Sequence, residues 1–375
     1  LNAKNEANIK VLHIMSGFGG GISSFVKNKA QALSLSGIPF YVLTYDEVDN
    51  GFRKSIESTG GKIFLMKNPK TEGFKQFYKT VNETIKSLGK GLIIHSHIQG
   101  YRVLPFYLIA KKNRVERFII HAHSGLLENE KNRVVNKSLN IEKISCGKKA
   151  SISMFGKKAV EKKEIMHIPN SINVNAYFNN RIQNTFEPDF LQRIKGKIVI
   201  GHVGRFHPVK NHSFMIDLIQ RLADLNISFV WLFIGDGALL TEVKAIIKEK
   251  GLDDYVLFLG RRNDLAELYK VMDYFVLPSF YEGLPTVAIE AQASGTQVLL
   301  SDSITEESDL GLNLVEFLSL ANKDEWISKL SKPSDLKGLN SATIQNTLVD
   351  KKFTNEESAR LYLEFLKKER SHYEI

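Results

Sequence analysis

The sequence predicts an α/β protein built from two Rossmann-like domains, and three observations carry that prediction. Its 375 residues exceed the roughly 100 to 200 of a single domain. Short β-branched runs alternate with amphipathic segments through both halves, as expected for parallel strands covered by helices on both faces. A polar stretch with one proline, Asn179 to Lys197, separates a series of six such runs from a series of five and reads as an interdomain linker.

In the first half the predicted strands are Val11 to Met15, Phe40 to Thr44, Lys62 to Met66, Leu92 to His97, Phe118 to His123 and Lys143 to Cys146. In the second they are Ile198 to Val203, Phe229 to Ile234, Val256 to Leu259, Tyr274 to Leu277 and Gln297 to Leu300, with helices such as Glu242 to Lys250 and Leu265 to Val271 between. The tail from Asn355 to Glu369 reads as an amphipathic helix, with Ala359, Leu361, Leu363 and Leu366 on or near its apolar face. The domains are therefore placed at 1–178 and 198–352, joined by 179–197 and followed by a terminal helix at 353–375.

A composition of 43% hydrophobic and 25% charged residues is that of an ordinary globular protein. The lone Cys146 permits no internal disulfide, no Cys/His spacing indicates zinc, and no leader pattern or apolar run of about 18 residues stands out. These features point to the cytoplasm. Charge is unevenly placed: residues 1–180 carry 28 Lys and Arg against 13 Asp and Glu, whereas 181–375 carry 23 against 28. A half at +15 beside one at −5 suits contact with an anionic surface, or is simply a solvated basic face.

Chemistry concentrates where second-half strands end, the edge at which open α/β sheets bind ligands. Arg205 and Lys210, in GRFHPVKN after the first of these strands, could both reach a pyrophosphate, although such residues are also ordinary on surface loops. The segments IGDG and FLGRRND offer glycines for close backbone approach to a ligand, or equally for tight turns. SFYEGLPTVAIEA is the most informative segment. Pro285 suits a first helical position, leaving Gly283, Leu284 and Thr286 to present N–H donors to phosphate. Glu290, among Val287, Ala288, Ile289 and Ala291, needs a partner, which ribose hydroxyls or an internal ion pair would supply. Glu282 would sit near whatever the phosphate carries.

Glu282 and Glu290, with GR and Lys upstream, resemble the pattern of the retaining nucleotide-sugar glycosyltransferases of family 4. HVGRFHPVKNHSF, LFIGDGALL, FLGRRND and PSFYEGLPTVAIEAQASG are most similar to the branch that builds bacterial capsular and exopolysaccharides. The resemblance implies the GT-B fold, with two Rossmann-like domains facing across a cleft and the terminal helix returning to the first. It implies that Arg205 and Lys210 hold the donor diphosphate, Glu290 the ribose and Glu282 the donor sugar, with Gly204, Gly260, Arg261, Gly283, Leu284 and Thr286 in the donor site. Asn211 departs from the glycine found in many relatives.

For the first half the resemblance implies an acceptor-binding domain with a histidine of HAHSG on the transferred sugar, His123 by choice and His121 second. Pairs such as His121 and His123, or His95 and His97, could bind a metal, but no third ligand is apparent. The glycine loop SGFGGGISSF fails the dinucleotide fingerprint at its third position, Ile22 or Ser24, although Asp46 stands at a tempting distance for a dehydrogenase. In the resemblance its Gly20 and Gly21 pass close to the donor phosphate.

No Asp-x-Asp pair occurs, so metal-independent transfer without a cofactor is expected, charge on the leaving group being met by Arg205, Lys210 and helix N–H groups. The implied activity is transfer of a hexose or derivative from a nucleotide sugar, by default UDP-linked, to a glycan or polyprenyl-diphosphate-linked acceptor in bacterial surface polysaccharide synthesis. Basic runs at Lys111, Lys112 and Arg114, at Lys131, Arg133 and Lys137, and from Lys148 to Lys163 would meet the inner face of an anionic membrane. An epimerase or phosphorylase of the same architecture and a non-catalytic nucleotide-sugar-binding subunit are the rival readings.

Overall fold

The structure, a computed structural model, describes residues 9–123, 138–178, 186–335 and 339–368. The chain divides into two compact units, Leu1–Ser171 with Lys352–Ile375, and Ile172–Lys351.

The first unit holds one parallel sheet of β1 (Lys10–Ile14), β2 (Phe40–Thr44), β3 (Ile63–Leu65), β4 (Leu92–Ser96), β5 (Arg117–Ala122), β6 (Glu142–Ser145) and β7 (Met166–His167). Their order is 3-2-1-4-5-6-7, the doubly wound arrangement, so the loops leaving β1 and β4 flank the point where the winding reverses. β1, β2 and β4 to β6 fall on predicted runs because their burial is nearly continuous. At two residues, β7 is too short to show a period and was not predicted.

The second unit has β8 (Ile198–Val203), β9 (Phe229–Ile234), β10 (Val256–Gly260), β11 (Tyr274–Leu277), β12 (Gln297–Ser301) and β13 (Val315–Leu318), in the order 10-9-8-11-12-13. Its winding reverses between β8 and β11. Trp231 and Phe233 of β9 anchor the core, with Trp326 fully buried against Phe214. The unpredicted β13 is an edge strand whose first three residues are only half-buried. Residues 179–185 of the stretch read as linker lie outside the described residues, and a short helix with no buried residue, Pro188–Ile194, occupies part of the rest.

The terminal helix, Asn355–Lys367, packs into the first unit through Ala359, Tyr362, Phe365 and Leu366. Leu361 and Leu363 are only half-buried, because the 3.6-residue turn brings Tyr362 and Phe365 onto the inner face instead. Thr354 caps it by accepting from the Glu357 N–H at 3.1 Å. Arg117 pairs with both oxygens of Glu142 at 2.8 Å and donates to the Phe365 carbonyl at 3.0 Å, near the helix end.

Lys29, on the helix Gly21–Ala32, is fully buried and donates to Ser358 Oγ at 2.6 Å and Ser171 Oγ at 3.1 Å. Burial without a carboxylate lowers its pKa from 10.5 to about 7. Between those values the unfolded chain binds the extra proton, so stability should rise with pH from about 7 to 10.5 and stay flat below. Thermal unfolding of Lys29→Met against pH should show this rise lost; an unchanged profile would contradict the assignment.

Candidate active site

The loops leaving β8 and β11 meet at the switch point of the second unit, where the Phe280 N–H donates to the Val209 carbonyl at 2.9 Å. Lys210 Nζ lies 2.6 Å from Glu282 Oε1, both side chains less than one-fifth exposed. A Cβ on Gly204 would stand 3.3 Å from Lys210 Cε and 3.0 Å from His202 Nε2, so the missing side chain leaves room for the lysine stem. Arg205 is exposed on the same loop. Asn211, at φ 57° and ψ 52°, takes the left-handed turn before the helix His212–Asp224, a conformation asparagine tolerates.

Two histidines flank Lys210. His202 Nδ1 donates to the Val276 carbonyl at 3.0 Å, and burial followed by the neighbouring His212 holds its pKa well below the usual value. His212 is lowered to about 4, by burial and then by Lys210. Both are neutral at physiological pH, so the charge between these loops is carried by Lys210 and Glu282.

Glu290 lies on the helix Thr286–Ala293, where its carboxylate accepts from Tyr269 Oη at 3.2 Å. Burial raises its pKa from 4.5 to about 7 against the opposing effect of that bond. Glu290 in turn pushes the buried Tyr269 and Tyr177 hydroxyls up, after burial itself. No internal cation is paired with Glu290 among the described residues. Pro285 is not the first helical residue: its ψ of 107° makes it the extended cap, one position earlier than predicted. Gly283 and Leu284 are buried beside that cap, and Thr286 is half-buried.

The glycines of IGDG face the protein's own backbone. A Cβ on Gly235 would come within 2.0 Å of the Gly204 carbonyl oxygen, and one on Gly237 within 2.6 Å of that of Phe206. Gly235 N–H also donates to the Gly260 carbonyl at 2.8 Å, which locks the loops after β8, β9 and β10 together. Gly260 has φ +64°, and the exposed Arg261 lies 3.6 Å from Asp236. A cavity of about 380 Å³ lined in part by Tyr177, Met272, Thr296 and Ile344 opens near the starts of β11 and β12, away from these loops.

In the first unit Gly20, at φ 74°, caps the helix Gly21–Ala32, and both glycines are exposed. Asp46 Oδ2 accepts from the Phe18 N–H at 2.9 Å and so braces the glycine loop, the position a dehydrogenase would use for ribose. His123 is half-buried just after β5, whereas His121 within the strand is fully buried. They belong to a cluster with His13, His95 and His97. His13 Nδ1 lies 3.1 Å from His97 Nε2, and His97 Nδ1 2.7 Å from His123 Nε2. His95 bridges Tyr362 Oη at 2.6 Å and His121 Nδ1 at 3.2 Å. Burial lowers all five pKa values, those of His13 and His123 to about 3.

Sequence reasoning missed Tyr269, His202 and His212 around the second-unit loops and His13, Lys29 and Tyr362 in the first. Only the histidines left a signal, recurring near the ends of β1, β4, β5 and β8. Lys131, Arg133 and Lys137 lie outside the described residues, while the other basic side chains assigned to a surface, such as Lys111, Lys112, Lys157 and Lys158, are exposed. Among the described residues no helix is long and apolar enough to cross a membrane.

Two parallel-sheet, doubly wound Rossmann-like units define the GT-B class. HepE of Anabaena, solved with UDP and glucose, superposes with a TM-score of 0.70 over 96% of this chain and 99% of that one at 17% identity, a likeness of fold. Residues 183–310 match the family described as glycosyl transferases group 1. EpsF of Bacillus subtilis (strain 168), named as a glycosyltransferase, is 33% identical over 84% of this chain and 85% of its own. The chain belongs to this family of glycosyltransferases. The UDP-Gal:alpha-D-GlcNAc-diphosphoundecaprenol alpha-1,3-galactosyltransferase of Escherichia coli is 28% identical, with the match spanning 51% of each chain.

Proposed function

We propose that the protein is a retaining, metal-independent family 4 glycosyltransferase that moves a hexose or derivative from a UDP-sugar to a glycan or polyprenyl-diphosphate-linked acceptor. The observation that carries the reading is the Lys210–Glu282 pair at 2.6 Å, set at the switch point where Gly204 makes room for the lysine. A cation held there meets a diphosphate; the adjoining carboxylate meets the sugar on it. Arg205 adds a second cation, and the chain from Gly283 through Leu284 to Thr286 adds N–H donors at a helix start. Glu290 accepts from the ribose hydroxyls, with Gly260 and Arg261 beside the base.

In the first unit, Gly20 and Gly21 let the chain approach the donor phosphate, and His123 bonds the transferred sugar. The acceptor hydroxyl attacks C1 on the face that the diphosphate leaves. The C1–O bond to phosphate breaks as the new glycosidic bond forms, and the acceptor proton passes to the departing phosphate oxygen. Arg205 and Lys210 stabilise the charge that develops there.

The reaction serves bacterial surface polysaccharide synthesis at the inner face of the membrane, a reading supported by the lipid-linked acceptor in the name of the Escherichia coli relative. The excess of 28 basic over 13 acidic residues in 1–180 supports that contact. Thermal shift against a panel of nucleotide sugars tests the donor assignment: one should stabilise the protein, and Arg205→Ala should abolish the response. Stabilisation by none, or one indifferent to Arg205→Ala, would contradict it.

A further inference from the structure

We propose that His97, His121 and His123 form a binding site for a divalent transition-metal ion of the zinc, cobalt or nickel type. Their ligand nitrogens lie within 4.8 Å of one another. Sequence spacing alone offers only pairs, and the third imidazole becomes apparent when β4 and β5 align side by side. His121 Nε2 is buried and lacks a hydrogen-bond partner among the described residues, a cost that a bound ion would relieve. Burial keeps all three rings neutral, which is the form that ligates.

Three imidazoles suit a borderline-soft ion and not magnesium or calcium, which take oxygen ligands. Metal–nitrogen bonds of about 2.0 to 2.1 Å set tetrahedral ligand nitrogens about 3.3 Å apart. His97 Nδ1 and His123 Nε2, now 2.7 Å apart, therefore separate slightly as the ion takes the place of the proton between them, which moves to the other nitrogen of its own ring. A second trio, His13, His95 and His97, is fully buried, and its His95 is held by Tyr362. The outer trio ends at the half-buried His123 and keeps a fourth position for water or a ligand atom.

A bound ion removes His123 from the sugar and inhibits transfer; this consequence alone rests on the proposed function. The test is titration of the untagged protein with Co²⁺, read by its tetrahedral visible absorption and by displacement with Zn²⁺. One equivalent should bind, and His97→Ala and His123→Ala should each weaken it by about 100-fold or more. His167→Ala, two strands from β5 on β7, should leave binding unchanged. His123→Ala lies at the partly exposed end of the cluster, and its thermal unfolding serves as the folding control. Absence of stoichiometric uptake, or uptake indifferent to both cluster variants, would overturn the site. Uptake with no loss of transfer would leave the site standing and remove His123 from the sugar.

Discussion

Lys210→Ala should weaken nucleoside diphosphate binding by more than a hundredfold and lower kcat/KM about a thousandfold. Truncation removes the cation and leaves Glu282, less than one-fifth exposed, without its partner at 2.6 Å. The diphosphate then meets an anion where it would have met a cation. Part of the loss is consequently repulsion, and Glu282→Gln in the Lys210→Ala background should recover some UDP affinity although the sugar contact is lost. Isothermal titration with UDP on both single variants and the double variant measures that coupling. Purely additive losses would show that the diphosphate does not feel Glu282 once Lys210 is removed.

Glu290→Gln should flatten the pH dependence of UDP binding. In the free protein the carboxyl is raised to about 7, and ribose hydroxyls need it ionised to accept two bonds. Affinity in the parent should therefore be about tenfold weaker at pH 6 than at pH 8. The variant should bind more weakly at pH 8, and its difference from the parent removes the titration of the nucleotide itself. Folding carries the opposite sign. A carboxyl raised from 4.5 to about 7 favours the folded state least above pH 7, by about 3 kcal/mol relative to low pH. Glu290→Gln should thus raise Tm at pH 8 while impairing binding, the trade-off expected of a group kept for its ligand.

The strands were legible because both sheets are parallel and covered on both faces, so their runs are apolar almost throughout. Legibility failed at the edges, where β7 has two residues and β13 is half-exposed. Loop residues were legible as chemical types but not as neighbours. Gly235 and Gly237 read equally as ligand contacts or turns, and only spatial packing shows them pressed against Gly204 and Phe206. Tyr269 lies 21 residues from Glu290, and no local pattern joins them. The histidines of β1, β4 and β5 are spread from position 13 to 123, so their gathering depends on strand order. Tyr362 comes from further still, on the terminal helix.

Lys210 and Arg205 together carry the transfer of a sugar to an acceptor in the proposed reaction. Its most direct test is to follow nucleoside diphosphate released from the stabilising nucleotide sugar, with and without a glycan or polyprenyl-diphosphate-linked acceptor. Release should depend on the acceptor, be accompanied by a glycoside with the anomeric configuration of the donor, and be lost in Arg205→Ala. Interconversion of nucleotide sugars without release, or a product of inverted configuration, would contradict it.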